Sequence, residues 1–140
     1  MKILLAVDGS TYTRHMLGYL AAHDELLGAD RQYTAFTVVP PIPPHATSFL
    51  EREVIDTYYR EQAQQVLAPV QSFARQNGWE MDARHAVGHA GDAIASLATE
   101  GRFDLIVMGT HGHSALANAV MGSVATRVIA QGKVPVLLIR

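Results

Sequence analysis

Short segments rich in apolar and β-branched residues recur along this chain of 140 residues, with helical patterns between them, and this alternation limits the possible folds. The first segment, residues 3–7, is a continuous apolar run, which is typical of a strand buried on both faces of a parallel sheet. Further strands are predicted over residues 33–39, 79–87, 103–108 and 134–139. Strands that alternate with helices predict a doubly wound α/β fold, with a parallel five-stranded sheet and helices on both faces. Right-handed crossovers favour the strand order 3-2-1-4-5.

The segments between the predicted strands carry apolar residues at helical spacing. The longest helix is predicted over residues 49–76. Its inner stripe is expected to consist of Val54, Tyr58, Val66, Val70 and Phe73. Pro69 lies within it and is expected to kink or interrupt it. Residues 40–44 include four prolines and predict a surface connection. We expect residues 1–140 to form a single domain.

Composition narrows the classes of function. An apolar fraction of 49% and a charged fraction of 17% are typical of a globular protein. The net charge of -2 argues against a general affinity for nucleic acid or an anionic membrane. The chain has no cysteine, which excludes disulfides and thiolate chemistry. The first apolar run is too short for a signal peptide or a membrane span, so we expect a cytoplasmic protein.

Two polar segments are predicted to meet at one crevice. In an open parallel sheet, ligands bind beyond the carboxyl ends of the strands, at the point where the winding direction reverses. In the order 3-2-1-4-5 that point lies between the first and fourth strands. The first strand ends at Asp8, and the fourth runs into residues 108–112, Met-Gly-Thr-His-Gly. An acid and a glycine-containing loop therefore converge there.

The glycines after the fourth strand have the spacing Gly109-x2-Gly112-x9-Gly122-Ser123. Glycine lets the backbone adopt positive φ and approach an anion closely, so that N–H groups face phosphate oxygens. Gly122 and Ser123 begin the last predicted helix, where free N–H groups and the helix dipole favour a phosphate. The same residues would also serve as turn glycines and an ordinary helix cap without any ligand.

The chain resembles the universal stress protein family along its whole length. The matching segments are ILLAVDGS at residues 3–10, GxxGDAI at 88–94, DLIVMGTHG at 104–112, GSV at 122–124 and VPVLLI at 134–139. The resemblance implies a Rossmann-like fold of the adenine nucleotide alpha hydrolase-like type. The family's ATP-binding subset carries G-x2-G-x9-G-(S/T), and this sequence has that spacing in full. The resemblance therefore implies an ATP-binding regulatory protein of the stress response.

The resemblance also implies a role for individual residues. The adenosine pocket would be lined by Ala6, Val7, Asp8 and Val38, and the ribose and adenine bordered by Met108 and Gly109. The phosphates would be held by Gly112, Gly122, Ser123 and Val124, with Thr110 and His111 in the same loop. The ligand would be ATP, or ADP or AMP, with Mg²⁺ or Mn²⁺ on the phosphates. Thr37 departs from the histidine that the family often has there, and the proline run could reshape the adenine side. Asp8 has a second interpretation, as a turn acid that caps the following helix.

Other functions remain open for the loop after the fourth strand. Residues 110–113, Thr-His-Gly-His, are similar to the (T/H)-x-G-H signature of nucleotidyltransferases, but that signature normally follows the first strand. Adenylyl transfer or slow ATP hydrolysis on this loop is therefore the alternative function. His111 and His113 could also form half of a metal site with His89 or Asp92. We favour binding over catalysis, since no lysine of a phosphate-loop signature and no evident base is present.

The last predicted strand indicates a homodimer. The third strand protects its edge with Glu80, Asp82 and Arg84. The fifth, from Val134 to Ile139, has little polar relief and would lie at the opposite edge. An unpaired apolar edge favours pairing with the same strand of a second copy, and universal stress proteins commonly dimerise in this way. The alternative is a short, solvated edge in a monomer.

Overall fold

A computed structural model describes residues 1–113 and 120–140 and shows the predicted sheet. Five parallel strands lie in the order β3-β2-β1-β4-β5, which confirms the doubly wound topology. The strands are β1 Lys2–Ala6, β2 Gln32–Val39, β3 Met81–Val87, β4 Leu105–Gly109 and β5 Val136–Ile139. The helices are α1 Thr11–Ala22, α2 Pro44–Thr47, α3 Arg52–Gln76, α4 Ala90–Glu100 and α5 Ser123–Gln131, with a short 3-10 turn over Asp24–Leu27.

Alternate residues of the central strands face two separate apolar layers. Ile3 and Leu5 of β1 pack with α1 and α3, whereas Leu4 packs with α4 and α5. All three side chains are fully buried. This arrangement explains why β1 is a continuous apolar run, because a strand covered on both faces needs apolar side chains at every position.

The strand register brings the strand ends into one row. Ala6 pairs with Phe36 of β2 on one side and with Met108 of β4 on the other. The carboxyl ends of these strands therefore lie at the same edge of the sheet, where Val7 follows β1 and Gly109 is the last residue of β4. This edge carries the switch in winding direction at which the sequence predicts a ligand site.

The long helix α3 differs from its prediction in two ways. Val54 and Tyr58 were expected to face inward but are 51% and 42% exposed. The buried residues are Ala63, Leu67, Val70 and Ala74. These residues are four, three and four positions apart. Tyr59 continues this spacing four positions before Ala63 and packs against the core, so Tyr58 lies off the buried face.

Pro69 does not interrupt the helix, so that part of the prediction is wrong. The helix is continuous over Arg52–Gln76, and Pro69 is exposed. A proline lacks the N–H that would bond to the carbonyl four residues earlier. On the solvent side of a helix, water can satisfy that carbonyl.

The third, fourth and fifth strands are shorter than predicted, and the edge position of β3 is confirmed. The third begins at Met81 because Trp79 instead packs beside the rings of Tyr33 and Phe73, with centroids 4.8 and 5.5 Å away. The fifth begins at Val136. β3 alternates half-buried with exposed residues over most of its length. No helix in the described parts of the chain is long and apolar enough to cross a membrane.

Candidate functional site

A cavity of about 780 Å³ opens beyond the carboxyl ends of β1, β2 and β4. All twelve residues predicted for the site line it. They are Ala6, Val7, Asp8, Val38, Met108, Gly109, Thr110, His111, Gly112, Gly122, Ser123 and Val124. Residues far apart in sequence therefore meet at the crevice that the topology creates. Residues 114–119, within the x9 stretch of the glycine motif, lie outside the described residues.

The cavity is also lined by residues outside the predicted set. Gln62, Gln65 and Val66 reach it from α3, and Ala90 and Ile94 from α4. Thr13, Phe36, Val39, His113, Met121 and Ala125 also line it. Thr37 and Pro40 line it as well, so the position that departs from the family and the start of the proline run both border the cavity. No local motif marks the α3 residues, because only the packing of α3 on the sheet brings them there.

Asp8 orders the turn after β1 and also faces the cavity. Its Oδ1 accepts hydrogen bonds from the Ser10 amide at 2.9 Å and the Thr13 hydroxyl at 3.0 Å. The Thr13 hydroxyl oxygen in turn accepts from the Asp8 amide at 3.1 Å. The second carboxylate oxygen lies against Gly112, where any Cβ would collide with it. Asp8 thus joins the end of β1 to the glycine loop after β4, in addition to its bonds within the turn.

Hydrogen bonding keeps the Asp8 carboxyl ionised despite its burial. Burial by itself raises its pKa. The hydrogen bonds with Ser10 and Thr13 and the electrostatic interaction with His113 together lower the pKa by more than burial raises it, so the net pKa lies below the usual 3.8. A pKa lower in the folded than in the unfolded state stabilises the fold above the unfolded value. That contribution is lost as pH falls through the folded pKa.

We therefore expect Asp8→Asn to flatten the acid side of the stability profile. Wild type should lose free energy of unfolding between pH 5 and pH 3, because the unfolded chain takes up a proton at Asp8 at higher pH than the folded protein does, whereas the variant lacks that component of the loss. Urea unfolding at the two pH values measures the difference. An equal loss in both proteins would contradict the assigned direction of the pKa shift.

The glycines of the loop are required for close approach rather than for unusual backbone angles. Close approach and positive φ were both expected reasons, but Gly109, Gly112 and Gly122 all lie outside the positive-φ region. A Cβ on Gly109 would come within 2.7 Å of the Tyr12 Cβ. A Cβ on Gly122 would lie 3.1 Å from both the His111 Cα and the Thr110 oxygen. The loop is therefore packed too closely for side chains at these positions.

A backbone hydrogen bond joins the two ends of the glycine motif. The Gly122 amide donates to the Thr110 carbonyl at 2.7 Å, so the start of α5 lies beside the end of β4. α5 begins at Ser123, has no acidic residue in its first turn, and presents Gly122, Ser123 and Val124 to the cavity. The N-terminus of a helix attracts anions through its unpaired N–H groups and dipole. This end of the cavity is therefore suited to a phosphate.

Both loop histidines contact the segment that follows β1. His113 Nε2 lies 2.6 Å from the Asp8 carbonyl, which can only accept, so this nitrogen donates the hydrogen. The His111 ring lies 5.1 Å from the Tyr12 ring. The alternative, in which these histidines form a metal site with His89 or Asp92, finds no support: the described residues contain no group of three metal-binding side chains.

The fold and the cavity define a doubly wound α/β protein with a cavity at the switch point of the sheet. The whole chain, residues 1–140, matches the model of the universal stress protein family. The protein therefore belongs to this family, as the sequence resemblance implied.

Relatives of known sequence are universal stress proteins too. One from Synechocystis is 28% identical over 139 residues, which cover 99% of this chain and 42% of the relative. One from Methanocaldococcus jannaschii is 34% identical over 88 residues, which cover 63% of this chain and 52% of the relative. The chain thus spans about half the length of these two relatives. One from Thermus aquaticus is 30% identical over 138 residues, which cover 99% of this chain and 97% of the relative.

Solved structures share the fold. UspA from Lactobacillus plantarum superposes with a TM-score of 0.78 at 21% identity, covering 100% of this chain and 97% of that one. A family protein from Arabidopsis thaliana with AMP bound gives 0.70 at 16% identity, covering 99% and 90%. The protein from Archaeoglobus fulgidus in complex with dAMP gives 0.66 at 24% identity, covering 100% and 98%.

Proposed function

We propose that this protein binds an adenine nucleotide, ATP in particular, in the cavity beyond β1, β2 and β4. The observation that carries the proposal is the convergence of all twelve sequence-predicted residues on that one cavity. Family proteins of the same fold bind AMP and dAMP, which supports adenine nucleotides as the class of ligand.

The two ends of the cavity differ in the chemistry they offer. At the β4 end, the closely packed glycines and the start of α5 suit phosphate groups. At the β2 end, Phe36 and Val38 give an apolar surface, with Met108 across β1 from them. An uncharged base prefers such a surface, so the nucleotide lies with its phosphates toward β4 and its base toward β2.

A divalent cation fits this site as part of the nucleotide. Asp8 is the only carboxylate among the described lining residues, and one of its oxygens already bonds within the turn. Mg²⁺ usually binds through phosphate oxygens and water with one or two carboxylates, so it needs no dedicated cage. We propose that Mg²⁺ or Mn²⁺ enters with the triphosphate and neutralises part of its charge.

The site favours a regulatory binding protein over a catalyst. The lining residues that the structure describes include no lysine or arginine to stabilise charge on a transferring phosphoryl group. The Nε2 hydrogen of His113 is held by the Asp8 carbonyl. We propose a cytoplasmic, homodimeric protein of the stress response whose nucleotide state is its signal.

ATP turnover is accordingly expected to be very slow, well below about 1 per second, the lower end of common enzyme rates. A phosphate-release assay at saturating ATP and Mg²⁺ measures it. His111→Ala and His113→Ala should change the rate little. Rapid turnover that is lost in either variant would favour the alternative, in which the loop of residues 110–113 catalyses hydrolysis. Adenylyl transfer releases pyrophosphate instead, so it would give a phosphate signal only when pyrophosphatase is added.

Mass spectrometry of the ligand released from purified protein tests the proposed nucleotide class. Protein prepared without added nucleotide is denatured, and the released small molecules are identified. Release of ATP, ADP or AMP is the expected result. A stoichiometric ligand without an adenine ring would contradict the proposal.

A further inference from the structure

Helix α3 forms a wall of the cavity at the end where we place the base. Gln62, Gln65 and Val66 all line the cavity from this helix. Residues three or four apart lie on one face of a helix, so the three form a continuous surface. A Cβ added to Gly9 would lie 3.5 Å from a Val66 methyl group, so this part of α3 lies directly on the turn after β1. The wall therefore packs against the same turn that carries Asp8.

The proline segment is attached to this wall. The Ile42 amide donates a hydrogen bond to the Tyr59 hydroxyl at 2.8 Å, and Tyr59 lies three residues before Gln62. Pro40, two residues before Ile42, lines the cavity. The connection after β2 and the middle of α3 are thus held together around the β2 end of the cavity. A base at this end would meet a fixed surface.

Gln62 offers hydrogen bonds at this surface. It is half-buried and lines the cavity, whereas Gln65 is exposed at the rim. Among the hydrogen bonds between described residues, none involves the side-chain amide of Gln62. A side-chain amide has both an acceptor oxygen and two donor hydrogens. Gln62 can therefore satisfy a ligand edge that carries a donor beside an acceptor.

Adenine has such an edge at N6 and N7, whereas in guanine and hypoxanthine the same edge carries two acceptors, O6 and N7. Glutamine pairs with adenine by accepting from the N6 amino group and donating to N7. In guanine and hypoxanthine the group at C6 is an oxygen, so the same amide would leave one polar atom unpaired. We propose that Gln62 is a specificity-determining residue, which reads this edge of the base and selects adenine over 6-oxopurines. This inference rests on the proposed nucleotide binding.

Comparison of AMP with IMP tests the proposal, because the two differ only at C6, which carries an amino group or an oxygen, and at N1, which carries a hydrogen in IMP. Calorimetric titration should show that wild type prefers AMP by about tenfold, the order expected when one net hydrogen bond is lost. Gln62→Leu should weaken AMP binding about fivefold to tenfold and leave IMP binding nearly unchanged. The ratio of the two affinities should therefore approach one.

Gln64→Leu is the matched control, because Gln64 lies on the same helix, is exposed and does not line the cavity. It should keep the wild-type ratio, and thermal unfolding should show both variants folded. A Gln62→Leu protein that keeps the wild-type ratio would overturn the assignment of Gln62 and leave nucleotide binding intact. Wild type that binds neither AMP nor IMP would instead contradict the proposed function.

Discussion

Replacement of Gly122 by valine is expected to abolish nucleotide binding while the sheet remains folded. The new Cβ would lie 3.1 Å from the backbone of both Thr110 and His111, so the start of α5 must move away from the end of β4. The hydrogen bond from the Gly122 amide to the Thr110 carbonyl, 2.7 Å long, would then lengthen or break. Phosphate binding depends on N–H groups in fixed positions, so we expect at least about a 100-fold loss of ATP affinity, about 2.8 kcal/mol.

Calorimetric titration of both proteins with ATP measures this loss. Gly18→Val is a matched control, because Gly18 lies in α1 and nothing surrounds its Cβ position within 4 Å. The control should bind ATP like wild type. If Gly122→Val also binds like wild type, the loop does not hold the phosphates.

Replacement of Leu137 by lysine is expected to convert a dimer into a monomer. β5 lies at the edge of the sheet, and its Val136, Leu137 and Leu138 are only half-buried. Antiparallel pairing with β5 of a second copy would satisfy the free edge and cover these side chains. A lysine in each copy would place two like charges close to the symmetry axis and oppose pairing.

Light scattering at micromolar concentration measures the effect. Val87→Lys is the control, because Val87 is 42% exposed at the end of the opposite edge strand, β3. We expect dimers for wild type and for this control, and a folded monomer for Leu137→Lys. A monomeric wild type contradicts the prediction, and a dimer that tolerates the lysine places the interface elsewhere.

The sheet was predictable because each strand carries its own signal. Residues 3–7 are apolar at every position since α1 and α3 cover one face of β1 and α4 and α5 cover the other. The predictions for individual residues were wrong where tertiary packing outweighed the local sequence pattern. Trp79 was predicted to begin the third strand, but its side chain packs beside the rings of Tyr33 and Phe73 instead. Tyr58 was assigned to the inward stripe, but its neighbour Tyr59 is the residue that packs against the core.

The candidate site was predictable in part for a similar reason. Asp8 and Gly109 follow strand ends, and topology alone brings strand ends together. The glycine motif could be recognised, but of the two reasons expected for its glycines only close packing applies, because none of the three has positive φ. Gln62 gave no signal, because its place in the cavity depends on how α3 crosses the sheet.

Titration of wild-type protein with ATP in the presence of Mg²⁺ tests the central claim most directly. We predict saturable binding of one ATP per chain, with competition by AMP, because both nucleotides place adenosine in the same cavity. The same titration on Gly122→Val should give no measurable heat. If neither ATP nor AMP binds to wild type at millimolar concentration, the proposed nucleotide binding is contradicted.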